Sequence, residues 1–145
     1  SVYAFGTELT DLNRAFRYND TDQMLALTNA LITDYGGGTR MDQALQTIRD
    51  QHAQHIIGHR TVVLLITDGL DTGDPLVLSE HLGWISRQAR ATVWLNPLLR
   101  YDGYQPLAAG AQVLHRHVDQ MLAIHNLSHL AALARALKTL LERVR

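Results

Sequence analysis

The stretch "LLITDGLDTGDP", Leu64 to Pro75, decides the fold. It completes an uninterrupted apolar run, "TVVLLIT" at 61–67, of strand length and rich in β-branched residues. Such a run suits a strand covered on both faces, as in a parallel sheet. The run ends on Asp68, so a carboxylate is aimed off the end of the strand, and Gly69 lets the backbone turn at once. Asp74-Pro75 then reads as an N-cap acid followed by proline in the first helical turn, which predicts a helix to about Gln88.

The same alternation extends in both directions. Upstream, "VYAFGTEL" at 2–9 predicts a strand with a bend at Gly6, and "TDLNRAFRYNDT" reads as polar and irregular. Asp20 or Thr21 caps a helix on Met24, Leu27, Leu31 and Ile32, which the triple glycine at 36–38 ends. A further helix is predicted from Thr39, with Met41, Ala44, Leu45, Ile48 and His52 on one face and Asp42 at capping-box distance. Downstream, "ATVWLNP" predicts a second buried strand stopped by Pro97, followed by a short helix over 106–114 and a weaker strand in "VDQMLAIHN". Ser128 is expected to cap a last helix striped by Leu130, Leu133, Leu137, Leu140 and Val144. Strand and helix patterns alternate, so the fold class is α/β with a mostly parallel sheet and helices on both faces. In such sheets ligands bind beyond the carboxyl ends of the strands, where Asp68 and Asn96 fall.

Bulk properties narrow the function. The 145 residues suffice for one domain, residues 1–145, and no linker or repeat divides them. A net charge of −1 removes the broad electrostatic case for nucleic acid or an anionic membrane. Without cysteine there is no disulfide, thiol nucleophile or thiolate metal site. No apolar run reaches membrane-spanning length, and a cytoplasmic location is the default expectation. The chain starts at Ser1 directly in a strand-like pattern, which raises the expectation of a fragment.

Two turns carry chemistry. "YGGGTRMD" at 35–42 delivers the Thr39 hydroxyl to the start of a helix, and Asp68 stands at the end of its strand. Hydroxyl and carboxylate oxygens are the hard ligands that Mg²⁺ prefers. Each residue also has a plain structural reading, Thr39 as an N-cap and Asp68 as a turn residue. The eight histidines show no zinc-motif spacing, and GxxxxGK[ST], GxGxxG and GxSxG are all absent. The loop Arg100-Tyr101-Asp102-Gly103-Tyr104 combines arginine and tyrosine, the residue types that anchor protein contacts.

"GGGTR" at 36–40 followed by "LLITDG" at 64–69 resembles the second and third metal-site motifs of the von Willebrand factor A (VWA) fold. "TDGLDTGDP", "VWLNPLLR", "GYQP" and "HNL" resemble its CoxE-like subgroup. The resemblance implies a Rossmann-like sheet and a metal-ion-dependent adhesion site in which Thr39 and Asp68 are ligands of Mg²⁺. It further implies a protein-interaction module that works beside a MoxR-type AAA+ ATPase in maturing a client metalloenzyme, not an enzyme. Arg40, Asp71, Asn96, Arg100 and Tyr104 are expected on the partner-binding surface. The family's first motif, Asp-x-Ser-x-Ser, occurs nowhere in the chain. The resemblance thus places the first strand upstream of Ser1, with Mg²⁺ weakly held or absent and self-association expected through unpaired strand edges. The alternative from another class is a metal-dependent hydrolase using Asp68 and Asp71 around an activated water.

Overall fold

The computed structural model describes residues 1–34, 36–124 and 130–143. In chain order its elements are β1 Tyr3–Phe5, β2 Leu9–Asp11, α1 Thr21–Leu31, α2 Met41–Thr47, α3 Ala53–Ile56, β3 Val62–Ile66, α4 Pro75–Gln88, β4 Ala91–Asn96, α5 Ala109–His117, β5 Gln120–Ala123 and α6 Leu130–Arg143. Short 3₁₀ turns fall at Ala15–Arg17 and Pro97–Arg100, and a wider π-type turn at Ile48–His52 joins α2 to α3.

β3, β4 and β5 make a parallel sheet in that order, with Leu65 beside Trp94 and Trp94 beside Met121. Parallel neighbours need crossovers, which α4 and α5 supply. The two helices pack on each other and on the sheet face that carries Leu65 and Trp94. With α2 they enclose Met41, Leu45, Leu78, Leu82, Ile85 and Leu114. Burial of each such side chain contributes about 1.5–3 kcal/mol. β4 is buried along its whole length, as expected of the central strand. This is the α/β class that the alternating pattern predicts.

Several boundaries differ from expectation for identifiable reasons. The segment 2–9 is not one strand. β1 and β2 pair antiparallel, Phe5 opposite Leu9, around a turn at Gly6 to Glu8. The Asp34 carboxylate holds that turn, accepting the Thr7 amide at 2.7 Å, the Thr7 hydroxyl at 2.9 Å and the Glu8 amide at 3.2 Å. The Glu8 amide and Thr7 hydroxyl hold its carboxyl below the usual range. The "irregular" segment at 10–21 contributes Ala15, fully buried at the 3₁₀ turn. α1 stops at Leu31, ahead of the glycines, and buries none of its residues fully; Asp20 is its cap, accepting the Gln23 amide.

β3 is not covered on both faces among the described residues: Leu64 is 44% and Ile66 60% exposed. Leu65, on the other face, is 6% exposed, so the apolar run overstates the burial of the strand. α5 starts three residues later than predicted, and β5 covers only Gln120–Ala123 of the expected strand; Ser128, the expected cap of the last helix, and "HNL" lie outside the described residues. α4 matches its prediction from cap to end, with the Asp74 carboxylate accepting the Leu76 amide at 2.8 Å.

Candidate functional site

The carboxyl ends of β3 and β4 bring three loops together. The 68–74 loop leaves β3, residues 36–40 lead into α2, and the N-terminal end of α5 packs on the 68–74 loop at Gly69 and Asp71. Gly69 has φ +80°, the left-handed conformation that favours glycine. A methyl group there would lie 2.9 Å from the Ala111 Cβ and 3.1 Å from Trp94 Cζ2. A methyl group on Gly110 would lie 2.8 Å from the Gly69 carbonyl oxygen and 2.9 Å from the Asp71 Cβ. Small residues are therefore required on both sides of this contact. The Trp94 indole donates to the Thr67 carbonyl at 2.8 Å and fixes the end of β3 from below.

The two glycine-rich loops are stitched to each other. The Thr39 carbonyl accepts the Thr72 amide at 2.9 Å and the Thr72 hydroxyl at 2.8 Å. The Met41 amide, at the start of α2, donates to Asp71 Oδ1 at 2.9 Å, while Asp71 Oδ2 accepts the Gly73 amide at 3.1 Å. Asp42 is 2% exposed. Its carboxylate takes both forks of the Arg40 guanidinium, each at 3.1 Å, and the Asp74 amide at 3.0 Å. The Arg40 hydrogen bonds outweigh burial, and with the Asp74 amide they hold the Asp42 carboxyl at about 2. In turn the carboxylate raises Arg40 above its ordinary value. Gly73 is the close-approach point, since a Cβ on it would collide with the Asp42 carboxylate.

Thr39 is not a helix cap. α2 begins at Met41, the cap position is Arg40 without a side-chain bond, and Asp42 serves the Arg40 and Asp74 contacts instead of a capping box. The Thr39 hydroxyl makes no hydrogen bond among the described residues, and the side chain is half-buried. Asp68 uses Oδ1 to accept the Leu70 amide at 2.9 Å; Oδ2 has no hydrogen-bond partner among the described residues. The geometry thus joins the loops that carry Thr39 and Asp68 and leaves one neutral and one anionic oxygen uncommitted. These are oxygens of the type Mg²⁺ takes, but two fall well short of its octahedron. Among the described residues no group of three or more His, Asp or Glu could hold a metal ion.

The residues expected on the partner surface divide sharply. Asn96 is fully buried and cannot meet a partner: its Oδ1 accepts the Leu98 amide at 2.9 Å and turns the chain after β4. Asp71 spends both oxygens on the Met41 and Gly73 amides, and Arg40 spends its guanidinium on Asp42. Arg100 is exposed and lies over the exposed Tyr101 ring, 4.7 Å from its centroid, with Tyr104 partly buried three residues on. Sequence reasoning missed the apolar rim. Leu70 is 59%, Leu76 81% and Leu107 72% exposed, in the 68–74 loop, the first turn of α4 and the segment ahead of α5. Leu70 in a polar glycine-rich loop was the available signal. Two shallow concavities, of ≈ 260 and ≈ 370 Å³, are lined by neither Thr39 nor Asp68.

A family model described as "VWA domain containing CoxE-like protein" matches residues 1–130. No curated protein and no solved structure matches the chain. With the match running through both stitched loops and the whole parallel sheet, the chain belongs to the family of VWA domain-containing CoxE-like proteins.

Proposed function

We propose that the chain is a protein-interaction module whose contact face is the carboxyl end of the sheet, centred on Asp68. One observation carries this reading. The 36–40 and 68–74 loops are fastened together by internal bonds of Asp42, Asp71 and Thr72, while Asp68 keeps an uncommitted oxygen among exposed leucines. A face whose loops are bonded to each other and that exposes leucines near an available carboxylate oxygen suits docking. In this reading the partner is a MoxR-type AAA+ ATPase and the setting is maturation of a client metalloenzyme in the cytoplasm, as the CoxE-like membership suggests. Were a Mg²⁺ to bind at this face, Thr39 and Asp68 would be the residues here that hold it, through one hydroxyl and one carboxylate oxygen. No helix among the described residues is long and apolar enough to cross a membrane.

A hydrolytic role for Asp68 and Asp71 finds less support. Asp68 keeps a carboxylate oxygen free to take a proton from water, but both Asp71 oxygens already accept backbone amides, so Asp71 would have to give up a loop contact to join it. The test is a calorimetric titration of the chain with a MoxR-type ATPase, with and without Mg²⁺. Binding that weakens at least tenfold in Asp68→Ala and in Leu70→Ser supports the reading. Equal affinity in both variants, or metal-stimulated turnover of phosphoester or peptide substrates, overturns it.

A further inference from the structure

We propose that Ser79 and His117 form a proton-sensitive latch between α4 and α5, which sets how firmly the Gly69–Gly73 loop is held. His117 closes α5 and lays its ring on α4. Its Nε2 is 2.7 Å from the Ser79 hydroxyl, and its carbonyl accepts the Ser86 hydroxyl at 3.0 Å. The ring fits because residue 83 is glycine: a methyl there would be 3.1 Å from His117 Cε1 and 3.4 Å from Nδ1. Ser79, Gly83 and Ser86 thus form a small-residue cradle at helical spacing for one imidazole. The other end of α5 carries Gly110 and Ala111, the residues in closest approach to Gly69 and Asp71. Whatever loosens α5 on α4 at His117 removes support from the loop at its far end.

The surroundings make the latch respond to protons. The Arg87 guanidinium of α4 shares the space over Gly83 with the ring, its Nη1 3.4 Å from the same added methyl, and Arg116 precedes His117 on α5. The acids on the packed elements are engaged elsewhere: Glu80 with Arg49 at 3.1 Å, and Asp119 with the Thr92 amide at 2.7 Å. A proton on His117 would bring a second charge beside two arginines in a partly desolvated cradle. Burial first, then Arg116 and Arg87, push the His117 pKa down from its usual 6.5. Because the folded value is depressed, the native contact binds fewer protons than the opened one. Opening is therefore favoured as pH falls below the ordinary histidine value, and the contact is unaffected above it.

The experiment is hydrogen exchange of the full chain from pH 5 to pH 8, corrected for intrinsic exchange rates, together with NMR titration of the His117 ring. Protection at 69–73 and 110–117 should fall several-fold from pH 7.5 to pH 5.5, in parallel at both segments. His117→Gln keeps an acceptor for Ser79 and should flatten that dependence. Arg87→Gln should shrink it, because the ring becomes easier to protonate in the native contact and the folded and opened states then differ less in bound protons. A His117 pKa at or above 6.5 in the wild-type titration overturns the latch, even if a variant fails to fold. So does loss of protection that is equal in wild type and His117→Gln.

Discussion

The Asp71 carboxylate receives the Met41 amide at 2.9 Å across 30 residues of chain, and this bond fastens the start of α2 to the loop after β3. A residue that looks like an exposed acid in the sequence is a backbone acceptor in the fold. The same carboxylate takes the Gly73 amide, so it satisfies donors at a helix start and inside a tight loop.

Asp71→Ala should therefore destabilise the protein by about 1–3 kcal/mol, the range for leaving a buried or part-buried donor without its partner. Urea unfolding followed by circular dichroism measures it. The contrasting variant is Arg100→Ala, whose guanidinium meets only Tyr101 among the described residues and which should change stability by less than about 0.5 kcal/mol. Equal, small effects in both would remove Asp71 from the structural role given to it.

Asp42 predicts an acid limb. Its carboxyl stands at about 2 in the fold against an ordinary 3.8, so the folded state binds fewer protons between those values than the unfolded chain does. The stabilisation is complete above pH 3.8 and is lost as pH falls through about 2, with a magnitude of about 2 kcal/mol. Asp42→Asn should remove that dependence and lower stability at neutral pH, since the Arg40 guanidinium then loses its charged partner. Arg40→Met should cost more at neutral pH, because it leaves a carboxylate that is 2% exposed without its cation. Unfolding curves from pH 2 to pH 7 for the three proteins decide it; a wild-type limb no steeper than that of Asp42→Asn refutes the assignment.

What the sequence discloses and what it hides follow from the range of the interactions. α4 is legible because its determinants are local: Asp74 caps, Pro75 occupies the first turn, and the apolar stripe of Leu78, Leu82 and Ile85 follows at helical spacing. β3 and β4 are legible by composition alone. The start of α2 falls at Met41 and not at Thr39 because its cap is tertiary: Asp71, 30 positions from Met41, takes the Met41 amide, and Thr72, 33 positions from Thr39, bonds the Thr39 carbonyl. Asn96 was misjudged for a related reason. An amide at a strand end looks available to a ligand until Leu98 folds back to claim it. The pairing of the Thr39 and Asp68 loops was readable only through the family's motifs, since no periodicity links two loops across a helix and a strand.

Gly69→Ala should be among the most damaging single-atom additions in the chain. The φ of +80° costs an L-residue roughly 1–2 kcal/mol, and the new methyl would press on Ala111 and Trp94 at 2.9 and 3.1 Å. Together these predict a loss of about 2–4 kcal/mol and a fall in melting temperature of several degrees. Gly103→Ala is the internal control. Its φ of +75° carries the same strain, but nothing lies within 4 Å of the added methyl, so its loss should stay near the lower figure. Indistinguishable melting temperatures for the two variants would show that the Gly69 to Ala111 contact is not tight.

The last prediction concerns the two oxygens left over at the site. Asp68 Oδ2 and the Thr39 hydroxyl offer one charged and one neutral ligand, whereas Mg²⁺ holds its waters tightly and is normally bound through carboxylates in near-octahedral order. The other carboxylates at this end of the sheet are committed: Asp71 to amides, Asp42 to Arg40, and Asp74 to the first turn of α4. None is free to rotate in and complete the shell without breaking a bond that holds the loops. The 145 residues on their own should therefore bind Mg²⁺ no more tightly than millimolar, with Mn²⁺ showing the same weakness. Calorimetric titration measures the affinity, and Asp68→Ala separates this site from adventitious surface carboxylates by abolishing the residual heat. Micromolar binding by the 145 residues that survives Asp68→Ala would place the cation elsewhere and detach Thr39 and Asp68 from any metal role.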